Sequence, residues 1–331
     1  MNVFIIIAIA LFLCERSSFV SCSIGDRSMI YRNCLNRFER ENCTENGVLF
    51  KSNSQYKQDY WSKVLQWSCS DECRYQCMWI TVDVFHNNGD DTPKFHGKWP
   101  FIRMFGMQEP AAAFASMLNL AANVYMFKQL QQLRITQANL FPFVIFWKMF
   151  SLVCMNAWVW STIFHMRDTD FTEFMDYACA LSMVMGLLVA AIVRVFYTRS
   201  KLLMLLTLSL PVCYFVMHVR YLYSGAINYD YNMKVNVFFG AFGSVIWLVL
   251  SWHQWTLRRR YAWRMLAFTL LSGAALSLEL FDFPPRHGVW DAHALWHLST
   301  APLPLLFYSY VIADLRYVAS KELDKFAFKL T

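Results

Sequence analysis

The chain has 331 residues, 57% of them hydrophobic and 18% aromatic but only 16% charged, where a soluble domain carries about 25% charged residues. With a mean hydropathy of +0.29, this composition excludes an ordinary soluble enzyme and points to a polytopic membrane protein. The net charge of +7 does not indicate nucleic acid, because the basic residues sit beside apolar runs and form no separate basic domain.

The first apolar run, Val3 to Leu13, is too short to span a bilayer, and small and polar residues follow it from Ser17 to Ser23. We read residues 1–23 as a secretory signal peptide cut near Cys22 or Ser23, although its start lacks Lys or Arg. An uncleaved anchor is the alternative.

Residues 24–109 are polar and aromatic without a helical apolar stripe, and are expected to form a small lumenal domain stapled by disulfides. Cys22, Cys34, Cys43, Cys69, Cys73 and Cys77 fall in or just before this stretch, beside the sequon Asn42-Cys43-Thr44. Disulfides and N-glycans both belong to the secretory pathway. The spacing Cys69-x3-Cys73-x3-Cys77 also suits a metal, but no histidine lies within ten residues upstream or eight downstream, so disulfides are the better reading. Loss of Cys22 with the signal leaves five cysteines and one without a partner. Phe95-His96-Gly97-Lys98-Trp99-Pro100-Phe101 reads as an interfacial anchor ending the domain.

From Pro110 onward there are seven apolar runs of spanning length, roughly 111–128, 140–165, 175–197, 202–223, 233–253, 262–281 and 291–312. The expected fold is an all-α membrane protein, a seven-transmembrane helix bundle over 110–313 with the N-terminal lumenal domain and a tail over 314–331. Loops after the first, third and fifth runs hold Lys128 and Arg134, then Arg199 and Lys201, then Arg258, Arg259 and Arg260; the tail holds Arg316, Lys321, Lys325 and Lys329. Basic loops face the cytosol, so the tail is expected to be cytosolic and residues 24–109 lumenal.

This topology brings five polar residues to one depth. His165 ends the second run, Asp176 opens the third, and His293 and His297 lie in the first two turns of the seventh. Ser161, four residues before His165, shares its helix face one turn deeper. Ionisable groups this close to lipid are costly and mark functional sites. Three imidazoles, two of them four apart on a helix, suit a catalytic zinc with three protein ligands and one open position. The expected metal ligands are therefore His165, His293 and His297. Interfacial histidines bonded to carbonyls or lipid phosphates are the bland alternative. Asp291 and Glu279 read either as carboxylates holding the imidazoles or as solvated helix-end acids. His218 and Arg220 read as packing or snorkelling residues near the same level.

Ser161-x3-His165, Asp176 and His293-x3-His297 resemble the pattern of the CREST superfamily of seven-span metallohydrolases, which includes alkaline ceramidases and progestin/adiponectin-type receptors. More narrowly, the chain resembles the post-GPI-attachment-to-proteins factor 3 family. The matching strings are Cys73-Arg-Tyr-Gln-Cys77-Met-Trp79, the Phe95–Phe101 string, Gln108-Glu-Pro-Ala111, Asn156-Ala-Trp-Val-Trp-Ser161, Phe164-His-Met-Arg-Asp-Thr-Asp170, Phe281-Asp-Phe-Pro-Pro285 and Asp291-Ala-His-Ala-Leu-Trp-His-Leu-Ser-Thr300. In one respect the chain departs from the family, which usually has another cysteine four residues after the one matching Cys34; here that position is Phe38.

The resemblance implies GPI-anchor remodelling in the Golgi or endoplasmic reticulum membrane, by removal of the sn-2 acyl chain from the lipid of GPI-anchored proteins. In such a phospholipase A2-type hydrolase, Zn2+ on the three histidines activates a water, Asp176 acts as general base and Ser161 donates to the developing oxyanion. A heptahelical receptor or lipid-binding scaffold with a structural zinc, and a ceramidase-like amidase, would use the same ligands.

Overall fold

The computed structural model describes residues 23–330 except 136, 198, 199 and 226. All but the last residue of the expected signal peptide, with Cys22, therefore lies outside the described residues. No strand occurs among the described residues, only isolated bridges.

Where the sequence shows no apolar stripe, four helices nevertheless form: α1 (Ile24–Arg27), α2 (Met29–Asn42), α3 (Tyr60–Val64) and α4 (Cys69–Asn87). Local capping starts them: Asp59 accepts from the backbone of Trp61 and Ser62, and Ser68 with Asp71 forms a capping box at the head of α4. Covalent bonds then replace the large apolar face these helices lack. Cys34–Cys77 ties α2 to α4, and Cys43–Cys69 ties the end of α2 to the start of α4. Cys73 is the cysteine left over, buried with its Sγ 3.6 Å from that of Cys43, and Phe38 packs against this sulfur cluster.

The bundle follows: α5 (Pro110–Gln131), α6 (Phe141–Met166), α7 (Asp170–Phe196), α8 (Lys201–Tyr223), α9 (Tyr229–Thr256), α10 (Trp263–Phe281), α11 (Ala292–Thr300) and α12 (Leu303–Leu330). Six segments are long and apolar enough to cross a membrane: α6, α7, α8, α9, α10 with its preceding turn, and α11 continued into α12. The first expected span, α5, is not among them; at 22 residues it is long enough, but Ser116, Asn119 and Asn123 interrupt its apolar character. All three are buried, because α5 packs against α6, α11 and α12 and so closes the ring. Around that ring α6 meets α7, α7 meets α9, α9 meets α10, and α10 meets α12; α8 packs outside on α7. The seventh expected span is broken into α11 and α12 at Pro302, which has no N–H to continue the ladder.

Trp147, Trp247, Phe307 and Tyr310 fill the centre of the ring. Near its C-terminal tail the polar content is concentrated in one network. Arg194 pairs with Asp314, its Nη2 donating to Oδ1 at 2.9 Å, and Gln254 and Tyr261 donate to the same oxygen at 3.2 and 2.8 Å.

The N-terminal helices are locked onto the opposite end. The Trp67 ring lies between two guanidinium groups, Arg103 at 3.5 Å and Arg167 at 3.8 Å from its centroid. Those arginines pair with Glu72 and Asp71 on α4 at 3.3 and 2.9 Å. Burial pushes the Asp71 carboxyl up, but the Ser68 hydroxyl and Arg167 outweigh it and hold it below the usual carboxylate range. Residues 94–109 then run as a strap across this end. Lys94 and Trp99 both reach Asp282, which closes α10 in the left-handed conformation, and the Ile102 N–H donates to Gly288 O at 2.8 Å.

Candidate metal centre

Two helices deliver the three histidines. His165 ends α6, whose carbonyls are covered by the strap: the Gln108 and Glu109 N–H groups donate to Met166 O and His165 O at 3.1 and 2.9 Å. His293 and His297 stand one turn apart on α11, which starts there because the Asp291 carboxylate caps the Ala294 N–H at 2.8 Å. Asp291 is thus spent on the helix start and holds no imidazole among the described residues.

The three Nε2 atoms converge. They lie 2.9 Å (His293 to His297), 3.2 Å (His165 to His297) and 3.4 Å (His165 to His293) apart. A tetrahedral zinc with Zn–N bonds of about 2.0–2.1 Å sets its nitrogens roughly 3.3–3.4 Å apart. The partners of two outward nitrogens favour one tautomer. His165 Nδ1 lies 2.7 Å from Glu109 Oε2, and His293 Nδ1 lies 2.6 Å from Glu279 Oε2. An imidazole that donates from Nδ1 to a carboxylate presents a bare lone pair at Nε2. Lone pairs aimed at one point repel each other, and a cation at that point removes the conflict. The residues present therefore fit a metal, and the group could hold one.

The acids behind the imidazoles are held in turn. Lys98 Nζ sits over the Phe164 ring, 4.1 Å from its centroid, and bridges Glu109 Oε1 at 3.2 Å and Asp168 Oδ2 at 2.8 Å. Burial pushes the Glu109 carboxyl up, but Lys98 and His165 on either side outweigh it and hold it well below the usual carboxylate range. His297 is fixed differently: Asn119 Nδ2 donates to its carbonyl at 2.7 Å, and the Trp158 ring meets its imidazole edge-on at 5.3 Å.

The other two expected site residues lie in the same region. Ser161 is buried one turn into α6, its Oγ 3.1 Å from Ser116 Oγ. Asp176, in the second turn of α7, is buried within electrostatic reach of His165, His293, Lys98 and Glu109, and its carboxylate accepts no hydrogen bond among the described residues. His293 is the most open ligand, its side chain 32% exposed against 2% for His165. Of the two acids read as alternatives, Glu279 reaches the cluster and Asp291 does not. Sequence reasoning passed over Glu109, Lys98 and Asn119. A signal existed for Glu109, an acid directly before the proline that starts a helix at the level of the histidines. His218 is a packing residue, buried with its Nε2 3.1 Å from Asn232 Oδ1.

These features define a multi-span helical membrane protein with a three-histidine centre at one end of its bundle. Residues 60–315 match the Per1-like family, and the chain belongs to that family. It is 39% identical to a Xenopus tropicalis protein named GPI-specific phospholipase A2-like PGAP3, over 90% of this chain and 92% of the relative. It is 39% identical to the Drosophila melanogaster post-GPI attachment to proteins factor 3, over 92% and 93% of the two chains. Identity to the human GPI-specific phospholipase A2-like PGAP3 is 37%, over 95% and 96%.

Proposed function

We propose that this protein remodels GPI anchors as a zinc-dependent lipid ester hydrolase, cleaving the sn-2 acyl ester of the anchor lipid. The observation that carries the chemistry is the convergence of three Nε2 lone pairs, two of them enforced by carboxylates on Nδ1. The names of the relatives supply the substrate class.

His165, His293 and His297 would hold the zinc, which would supply Lewis acidity toward the ester carbonyl and a water acidic enough to react near neutral pH. Asp176, whose carboxylate accepts no hydrogen bond among the described residues, takes the proton from the attacking water and returns it to the leaving alkoxide. Ser161 donates a hydrogen bond to the developing oxyanion. Ser116 Oγ, 3.1 Å away, is placed so that it can donate to the Ser161 oxygen and leave the Ser161 O–H free. Glu109 and Glu279 keep two imidazoles in the ligating tautomer. The exposure of His293 favours a substrate approach from its side of the cluster. In the membrane of the Golgi or endoplasmic reticulum, residues 24–109 face the lumen and the tail the cytosol, so the centre opens to the leaflet that holds attached GPI lipids.

Lipid mass spectrometry of GPI anchors tests this in cells lacking the protein. Re-expressed wild type removes the sn-2 chain, and a stably expressed Asp176→Ala variant does not. Full rescue by Asp176→Ala overturns the hydrolase reading in favour of a scaffold with a structural zinc. Offering ester and amide lipids to the purified protein separates esterase from ceramidase-like activity.

A further inference from the structure

Lys98 lies outside the bundle in sequence, yet it is wired to a histidine of the metal centre. Its position is not that of a free interfacial anchor. The hairpin that carries it is closed by Phe95 N to Lys98 O at 2.7 Å and Lys98 N to Phe95 O at 2.9 Å. The two turn residues, His96 and Gly97, both have positive φ, +50° and +82°, as a two-residue turn of this kind demands. The turn is held by the N-terminal unit, His96 N donating to the Asp26 carboxylate at 2.9 Å. Phe95 packs on Tyr31 of α2 with ring centroids 5.1 Å apart. From this fixed hairpin Lys98 reaches Glu109 Oε1, and the other oxygen of Glu109 faces His165 Nδ1. Asp168 holds the ammonium from the far side and Phe164, next to His165, lies under it.

We propose that Lys98 is a positioning residue for the metal centre, setting the orientation of His165 through Glu109. The N-terminal helical unit is thereby part of the metal site's support and not a separate appendage. The physical reason is that a carboxylate can rotate about its own axis. With Lys98 on Oε1, the Glu109 carboxylate has one orientation left, and Oε2 is presented to the imidazole. Without Lys98, Glu109 is a buried acid with a single partner, free to turn. His165 then loses the acceptor that fixes its tautomer. Partners behind a ligand typically govern metal affinity by about 10–100-fold.

The inference rests on the zinc reading above, and the test separates the two. The full-length protein is purified in detergent, and zinc affinity is measured by competition with a chromophoric chelator. The variants are Lys98→Gln, Lys98→Arg, Glu109→Gln and the Lys98→Gln/Glu109→Gln double. Lys98→Gln should weaken zinc binding by about 10-fold and Glu109→Gln by about 10–100-fold. Lys98→Arg should restore most of the affinity, since a guanidinium can bridge the same two acids. The double variant should be no weaker than Glu109→Gln alone, because Lys98 acts through Glu109. Wild-type protein that binds no zinc overturns the metal centre and this inference with it. Wild-type binding with unchanged affinity in Lys98→Gln overturns the inference alone. So do losses that add in the double variant, which would mark Lys98 as a general stabiliser of the fold.

Discussion

The Nε2 atom of His165 lies 3.2 Å from that of His297, although 132 residues separate them in the chain. Together with His293 they should bind one zinc per chain. Elemental analysis of purified wild type should give a zinc-to-protein ratio near unity, and a His165→Ala/His293→Ala/His297→Ala protein should fall to background. Full occupancy in the triple variant would show that the metal sits elsewhere.

Ser161 is expected to contribute to rate and little to stability. Ser161→Ala should keep the Asp176 machinery intact but lower deacylation by about 10²–10³, the usual loss for one oxyanion donor. In cells this should read as partial rescue in the anchor-lipid profile. A rate equal to wild type would leave Ser161 as no more than a packing partner of Ser116.

The Arg194–Asp314 pair joins α7 to α12, and both side chains are almost wholly buried. Asp314→Asn should destabilise the bundle by about 3–5 kcal/mol, because it strands a buried guanidinium. Thermal unfolding of the detergent-solubilised protein measures this. The zinc content of the surviving folded fraction should not change, since the network lies at the other end of the bundle.

Cys73 should be the one free thiol of the N-terminal helices. Non-reducing peptide mapping should find Cys34–Cys77 and Cys43–Cys69, with Cys73 alkylated only after unfolding, because it is buried among the other sulfurs. Phe38 packs on this cluster. Phe38→Cys should therefore form a third bridge, to Cys73, and raise the resistance of this unit to denaturant by an amount typical of a disulfide, about 2–4 kcal/mol. A Phe38→Cys protein that retains two free thiols would rule this out.

Topology can be read with tags after residue 23 and at the C-terminus of the full-length protein in sealed microsomes. Protease added outside should remove the C-terminal tag and leave the N-terminal one, and Asn42 should carry a glycan sensitive to endoglycosidase. Protection of both tags would remove the placement of the metal centre on the lumenal leaflet.

The bundle was legible in the sequence because a membrane span needs only about 20 apolar residues in a row. The runs over 140–165, 175–197, 202–223, 233–253 and 262–281 coincide closely with α6 to α10. The three histidines and Asp176 could be set at one depth by counting alternating spans, and the i, i+4 pair is a property of one helix. Depth, however, says nothing about azimuth. That His165 turns toward α11, that Glu109 and Glu279 stand behind two imidazoles while Asp291 caps a helix, and that Ser161 meets Ser116 all depend on how α5, α6, α10 and α11 rotate against one another. The helices of α1–α4 were invisible for a related reason: disulfides, caps and a Trp67 ring between two arginines hold them where a continuous apolar stripe would otherwise be required. Apolar runs and helical spacing are local and survive in one dimension. The pairing of Lys98 with Glu109, and of Glu109 with His165, arises only when the chain folds back and a buried charge must find its partner.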